Sequence, residues 1–234
     1  MSSATSTILQ LGRYDVNLLD RLGQGGFGVV YLGTDRQRKR KVAVKQCATE
    51  NDKRGSIAIA ELKNFMFLKK HPHFVKMRHC NFQNNAVWIV MEFCEGGDLE
   101  QYFRRVNPSI QEKLDLMFQS ASAIEFMHGQ RHVMVHRDIK PANILIKSRK
   151  GRNIVKVTDF GLSKVSDNPD PGKTALFTTK AGTAGYMAPE FFLPDRPKYT
   201  KDVDTFSLGL VFLAMVIYKP KDHMMSPTKG MIAF

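Results

Sequence analysis

Three glycines at the spacing G-x-G-x-x-G, Gly23, Gly25 and Gly28, lie within the stretch RLGQGGFGVVYLG. Glycine permits the tight turns and close backbone approach that phosphate binding requires, but it serves equally wherever a chain turns without a ligand. The residues after the glycines decide between two chemistries. A dinucleotide-binding loop runs from a strand straight into a helix whose N-terminus faces the pyrophosphate. Gly28 leads instead into VVYLGTD, rich in β-branched and aromatic residues, then into the basic turn RQRKRK and the alternating VAVKQC. That order is strand, loop, strand. The glycines therefore sit at a hairpin, which can fold over phosphates, and Lys45 in VAVK stands on the strand after it.

Further along come VHRDIKPANILI, VTDFGLSKV and GTAGYMAPE, in that order. Glycine loop, VAVK, HRD-x-x-x-x-N, DFG and APE resemble, in sequence and spacing, the signature set of protein kinases. The resemblance is to eukaryotic-type serine/threonine protein kinases and covers residues 14 to about 218. Within that superfamily FCEGGDLEQYF, DFGLSKV and DTFSLGL look most like the Clik-type nuclear kinases.

The resemblance implies an α+β, bilobal fold over residues 14–234. Its parts are a small, mostly β lobe (14–90), a hinge (91–98) and a mostly α large lobe (99–234). It also implies ATP and Mg²⁺ as cofactors, a protein carrying a Ser or Thr acceptor as substrate, and phosphoryl transfer as the reaction. Lys45 then holds phosphates and pairs with a carboxylate on a helix. Glu61 is the only acidic residue between Asp52 and Glu92 and takes that part. Asp138 receives or orients the acceptor hydroxyl, Lys140 touches the γ-phosphate, and Asn143 and Asp159 hold the metal. The phosphates lie under the loop from Gly23 through Gln24, Gly25, Gly26, Phe27 and Gly28 to Val29. The adenine packs among Leu22, Val30, Ala43, Leu145 and Met91, with the backbone of Glu92 and Cys94 bonding its edge. Asp98 either reaches the ribose hydroxyls or caps the helix that starts there. Thr183 contacts Asp138 and Lys140, Asp204 braces the HRD loop, and Arg137 offers a guanidinium for a phosphate carried by Thr178 or Thr179.

Bulk properties set the frame for these residues. At 234 residues the chain buries a sizeable core as one large domain or two small lobes. A hydrophobic fraction of 43% with 24% charged residues is that of an ordinary globular protein. The net charge of +13 calls for anionic partners without choosing among them, and the resemblance turns it toward nucleotide and peptide rather than nucleic acid. Three cysteines, Cys47, Cys80 and Cys94, match no ligand spacing and read as reduced thiols in an intracellular compartment, nucleus or cytoplasm. His71, His73, His79 and Cys80 cluster without a zinc-site spacing. The run Arg36 to Lys41 reads as a solvated turn, with a nuclear localisation signal or anion patch as the other reading.

The elements that must position these groups come from periodicity. Residues 1–12 read as a short frayed lead-in without a signal sequence. Strands predominate from Tyr14 to about Val90, interrupted by a helix over Ile57–Lys70. A long amphipathic helix over Gln111–Gln130 ends at Gly129, and Phe206–Tyr218 is a second, more apolar helix, too short for the roughly 20 residues that span a bilayer. Between those helices lies a loop-rich region, Val133–Thr200. The stretch after Glu190 is shorter than the further helices expected of the family. The expectation is therefore a truncated, incomplete large lobe of reduced activity that associates through the bare face of the last helix. The alternative function is a weakly active or inactive ATP-binding or interaction module on the same scaffold.

Overall fold

A computed structural model describes residues 7–25, 28–49, 52–166, 176–177, 179, 181–192, 199–219 and 225. The chain divides into two compact units, one formed by residues up to Lys69 with Val75–Phe93, the other by Lys70–Phe74 and everything from Cys94 onward.

The first unit is built on a six-stranded antiparallel sheet. Its strands are β1 (Ile8–Leu11), β2 (Tyr14–Gly25), β3 (Gly28–Asp35), β4 (Arg40–Ala48), β5 (Met77–Gln83) and β6 (Ala86–Glu92), in the order β1-β2-β3-β4-β6-β5. The lead-in reading fails at β1: Ile8 to Leu11 pair with Asn17 to Tyr14, and Leu11 is fully buried. The turn between them is closed by Gly12 at φ +57°. Alternation along β4 sorts its side chains onto two faces. Val42 and Val44 join Leu11, Tyr14, Val16, Trp88 and Val90 in one apolar cluster. Lys45 and Cys47 are also buried, on β4 positions out of phase with Val42 and Val44. Helix α1 (Asp52–Leu68) begins five residues before the expected start and packs on β4 and β6. It buries Ala58, Glu61, Phe65 and Leu68, a spacing of three and four that makes one face of a helix.

The second unit holds α2 (Leu99–Val106), α3 (Ile110–His128) and α4 (Asp202–Ile217). It also has a three-stranded sheet, in the order β10-β9-β7, of β7 (Gly97–Asp98), β9 (Ile144–Arg149) and β10 (Arg152–Val157). A two-residue ladder pairs β8 (Met134–Val135) with β11 (Lys164–Val165). The "loop-rich" region thus contains a regular hairpin, β9–β10, whose turn puts Lys150 and Gly151 at φ 50° and 75°. Ser109 caps α3 through a bond from Glu112 N–H. Helix α4 buries Val203, Asp204, Ser207, Leu208, Val211, Ala214 and Met215, while Phe206, Leu213 and Val216 are exposed. It is apolar on most sides yet only partly covered.

Residues Lys70–Phe74 are bound to this second unit by main-chain and side-chain bonds. Val157 N–H donates to the His73 carbonyl at 2.8 Å, and the buried Lys156 ammonium donates to the Pro72 carbonyl at 2.6 Å. His71 stacks on Phe126 with centroids 4.7 Å apart and meets His73 edge-on. Burial, then the neighbouring His73, then Lys156, hold the His71 imidazole below its ordinary value near 6.5. Burial likewise lowers His73, against its bond with the Val155 carbonyl. A base whose folded-state pKa is depressed contributes stability above pH 6.5 that is lost as pH falls toward its folded value. The melting temperature should therefore fall between pH 7.5 and 5.5, and the fall should be shallower in His71→Phe, measured by circular dichroism; equal slopes would show that these imidazoles are not responsible.

Candidate active site

In the first unit the Lys45 ammonium donates to both carboxylate oxygens of Glu61, at 2.8 and 2.9 Å, with both side chains buried. Lys45 comes from the middle of β4 and Glu61 from the inward face of α1. The glycine hairpin pairs Gly25 with Gly28, Gln24 with Val29 and Gly23 with Val30. Gly28 has φ +143°, and a Cβ there would lie 2.0 Å from the Gln46 carbonyl oxygen, so only glycine fits. Gly26 and Phe27 lie outside the described residues. Leu22 is exposed, Val30 and Ala43 are half-buried, and Met91 and Glu92 close β6 in the core. The Glu92 N–H donates to the Lys76 carbonyl and its carboxylate accepts from Lys76 N–H, which fixes the end of that strand.

In the second unit Cys94 is buried and its carbonyl accepts from Gly97 N–H. Asp98 caps α2: its carboxylate accepts from Gln101 N–H at 2.8 Å while the Gln101 side chain accepts from Asp98 N–H. The helix-cap reading of Asp98 is thus the one with bonds in this structure, and burial raises its carboxyl against the pull of those donors. Leu145 is half-buried on β9, opposite Asp98 in the ladder.

The acidic centre is denser. Asp138, buried, receives the Thr183 hydroxyl at 2.6 Å on one oxygen. Its other oxygen receives the Asn143 amide at 3.0 Å and faces the Lys140 ammonium at 2.9 Å. Lys140 also donates to the Thr183 hydroxyl at 2.7 Å, so four side chains form one closed network. Asn143 sits in a one-turn 3₁₀ helix, Pro141–Asn143, and its carbonyl accepts from Thr158 N–H at 3.0 Å. That bond sets Asn143 beside the strand end leading to Asp159, which has the left-handed φ of 65°. Gly182 precedes Thr183 at φ +135°, where a Cβ would meet the Arg137 carbonyl at 2.6 Å; glycine lets the two loops close on each other.

Beneath this network lies Asp204, in the first turn of α4. Its carboxylate accepts from His136 N–H at 2.7 Å, Arg137 N–H at 2.8 Å and the His128 ring at 2.9 Å. The His136 ring bonds the Thr158 carbonyl through Nε2 and accepts Asp138 N–H at Nδ1. His128, at the end of α3, has no sequence motif that announces it. Nor does Tyr199, whose buried hydroxyl meets Arg137. Among the described residues no three His, Cys, Asp or Glu side chains gather as a metal site, the histidines at 71, 73 and 79 included. Cys47, Cys80 and Cys94 are in no disulfide bond. No described helix is long and apolar enough to cross a membrane.

A family profile described as "Protein kinase domain" matches residues 16–229. The chain belongs to the protein kinase family. This kinase domain is 31% identical over 198 residues to myosin light chain kinase A of Dictyostelium discoideum, covering 82% of the chain and 63% of that protein. It is 33% identical over 217 residues to serine/threonine-protein kinase tousled-like 1 of Caenorhabditis elegans, covering 86% and 22%. It is 31% identical over 221 residues to inhibitor of nuclear factor kappa-B kinase subunit alpha of Xenopus tropicalis, covering 90% and 28%. The chain therefore spans less than two thirds of each of these relatives.

The geometry around Asp204 has a direct consequence. Asp204→Ala orphans two buried main-chain N–H groups, each worth about 1–3 kcal/mol. Its urea midpoint should fall well below that of the parent, and Asp204→Asn, which keeps one acceptor oxygen, should lie between them. An Asp204→Ala protein as stable as the parent would remove the bracing role.

Proposed function

We propose that this kinase domain transfers the γ-phosphoryl group of ATP to serine or threonine hydroxyls of proteins. The observation that supports the reading is the network of Asp138, Lys140, Asn143 and Thr183, a carboxylate held by three donors on a loop braced from below. Lys140, two residues after Asp138, and the similarity to the relative named serine/threonine-protein kinase tousled-like 1 favour those acceptors.

Asp138 accepts the proton of the acceptor hydroxyl. As it does, that oxygen bonds to the γ-phosphorus, and the bond from this phosphorus to the bridging oxygen breaks with its electron pair, leaving ADP. Asn143 fixes the carboxylate's plane through its amide, and Lys140 offers a positive charge to the transferring group. In the first unit Lys45, oriented by Glu61, meets the phosphates already on ATP. A Cβ at Gly23 or Gly25 would meet nothing within 4 Å, so the hairpin's backbone has open space beside it, as a phosphate-covering loop requires. Leu22, Val30, Ala43, Met91 and Leu145 supply apolar contacts for the base, and the main chain of Glu92 and Cys94 supplies its hydrogen bonds.

The residues assigned to a metal fit one: Asn143 and Asp159 offer oxygen donors only, which suit a hard divalent cation that keeps several waters and substrate oxygens. When bound, Mg²⁺ neutralises phosphate charge and aids departure of the leaving oxygen.

The 234-residue chain, incubated with γ-³²P-ATP, Mg²⁺ and a degenerate Ser/Thr peptide mixture, should label the peptides. Asp138→Asn should cut transfer by about 10²–10⁴-fold while binding of a fluorescent ATP analogue persists, because general-base catalysis is of that size. Transfer at the parental rate would exclude Asp138 from the chemistry. An unlabelled peptide pool with intact nucleotide binding would make the chain a binding module instead.

A further inference from the structure

We infer that Tyr199 is a positioning residue: its phenol clamps the segment between Asp159 and Glu190 to the loop carrying Asp138, so that the segment keeps its place without an added phosphate. Its effect on turnover rests on the kinase reading above.

The sequence assigns Arg137 the task of anchoring a phosphate on Thr178 or Thr179. Thr178 lies outside the described residues; Thr179 is exposed. In the structure the guanidinium is already engaged. Its Nε donates to the Leu162 carbonyl at 2.6 Å, and its Nη1 donates to the Thr179 carbonyl at 3.0 Å and to the Tyr199 hydroxyl at 3.1 Å. Tyr199 passes its own hydroxyl proton to the same Thr179 carbonyl at 2.7 Å. Guanidinium, phenol and carbonyl thus close a triangle of three hydrogen bonds in which neutral oxygens stand where an arginine-bound phosphate would supply charged ones.

The phenol is held firmly enough to act this way. Tyr199 is 2% exposed, its ring stacked on Phe177 and tilted against Phe191 with centroids 5.8 and 4.6 Å away. The main chains of Phe177 and Tyr199 exchange both of their hydrogen bonds, at 2.8 and 3.0 Å. A buried hydroxyl with one donor bond made and one acceptor bond received has no slack.

The link to the chemistry is short. Arg137 adjoins Asp138, and its N–H is fixed by Asp204. The segment returns to the same loop at Gly182, packed against the Arg137 carbonyl, and at Thr183, bonded to Asp138 and Lys140. It is therefore pinned at Thr179 and again four residues later. Removing the phenol releases the first pin and leaves Thr183, and any peptide that the segment receives, less well placed relative to Asp138.

Tyr199→Phe keeps the ring and deletes one oxygen. On the full chain it should raise the apparent KM for the degenerate peptide mixture about tenfold with the KM for ATP unchanged, the size expected of one lost hydrogen bond to a charged group. Hydrogen exchange over residues 176–183 should quicken, and adding Arg137→Ala should cost less than the two single effects combined, because both remove the same clamp. Parent protein treated with phosphatase and checked by mass should keep its turnover. Parental peptide KM and exchange in Tyr199→Phe would overturn the inference, as would a phosphatase-treated parent that is inactive while the untreated one works. A parent that labels no peptide at all sinks the kinase reading instead; the exchange measurement then decides the clamp alone, faster exchange sustaining it and unchanged exchange removing it.

Discussion

The carboxylate of Asp204 is the constraint on which the second unit's geometry turns. It is fully buried, and taking a carboxylate out of water is tolerable only with donors in close contact. The donors are the N–H groups of two successive residues, His136 and Arg137, together with the His128 ring. Two successive N–H groups face this one carboxylate, and the second of them belongs to Arg137, which has φ 69°, rare for a residue with a side chain. Such a conformation costs about 1–3 kcal/mol and persists where its surroundings over-determine it. Here they do: Arg137 is bonded at its N–H, at Nε and at Nη1 to four different residues. On either side of Arg137, His136 is buried and Asp138 faces Lys140 and Thr183.

From His136 the order spreads to the DFG stretch. Its ring bonds the Thr158 carbonyl and lies 5.5 Å from the Phe160 ring, which in turn lies 5.9 Å from Phe74. Because Phe74 belongs to the segment bonded to β10, three stretches far apart in sequence share one packed aromatic row. The left-handed Asp159 stands between Thr158 and Phe160, so its backbone is held by neighbours on both sides.

Residues placed by a fixed motif were legible as candidates because type and spacing are both local. Lys45, Asp138, Lys140, Asn143, Asp159 and Thr183 are read directly from VAVK, HRDIKPAN, DFG and GTAGY. Glu61 was legible for a different reason, being the sole carboxylate over a long stretch, and the helix face Ala58, Glu61, Phe65, Leu68 turns it inward. What escaped depends on distant pairing. Strand β1 has only four residues, and nothing within Ile8–Leu11 says that Tyr14–Asn17 will fold back on it. The β9–β10 turn is formed by Lys150 and Gly151 inside the polar run KSRKGRN, which has no apolar alternation to mark a strand. Tyr199 comes after RPK in a stretch without a motif, and its role needs Phe177, Phe191 and Arg137, the nearest of them eight residues away.

The net charge of +13 sets the sign of the field around the molecule. Five of the acidic residues, Asp35, Glu61, Glu92, Asp138 and Asp204, are buried, and each is committed to cations or N–H donors inside the fold. Asp35 holds Arg13 at 3.3 Å and Arg40 at 3.7 Å, so the basic run from Arg36 to Lys41 is in part a structural clasp rather than a purely solvated turn; Arg36 likewise faces Asp15 at 3.6 Å. Most of these carboxylates sit against a lysine or arginine, and such a pair is close to neutral seen from outside, so the far field follows the net charge. The same arrangement that positions Lys45 and Asp138 therefore leaves the outside of the molecule cationic, and a cationic exterior raises the local concentration of anions, polyphosphates among them, around a chain whose proposed substrate is one.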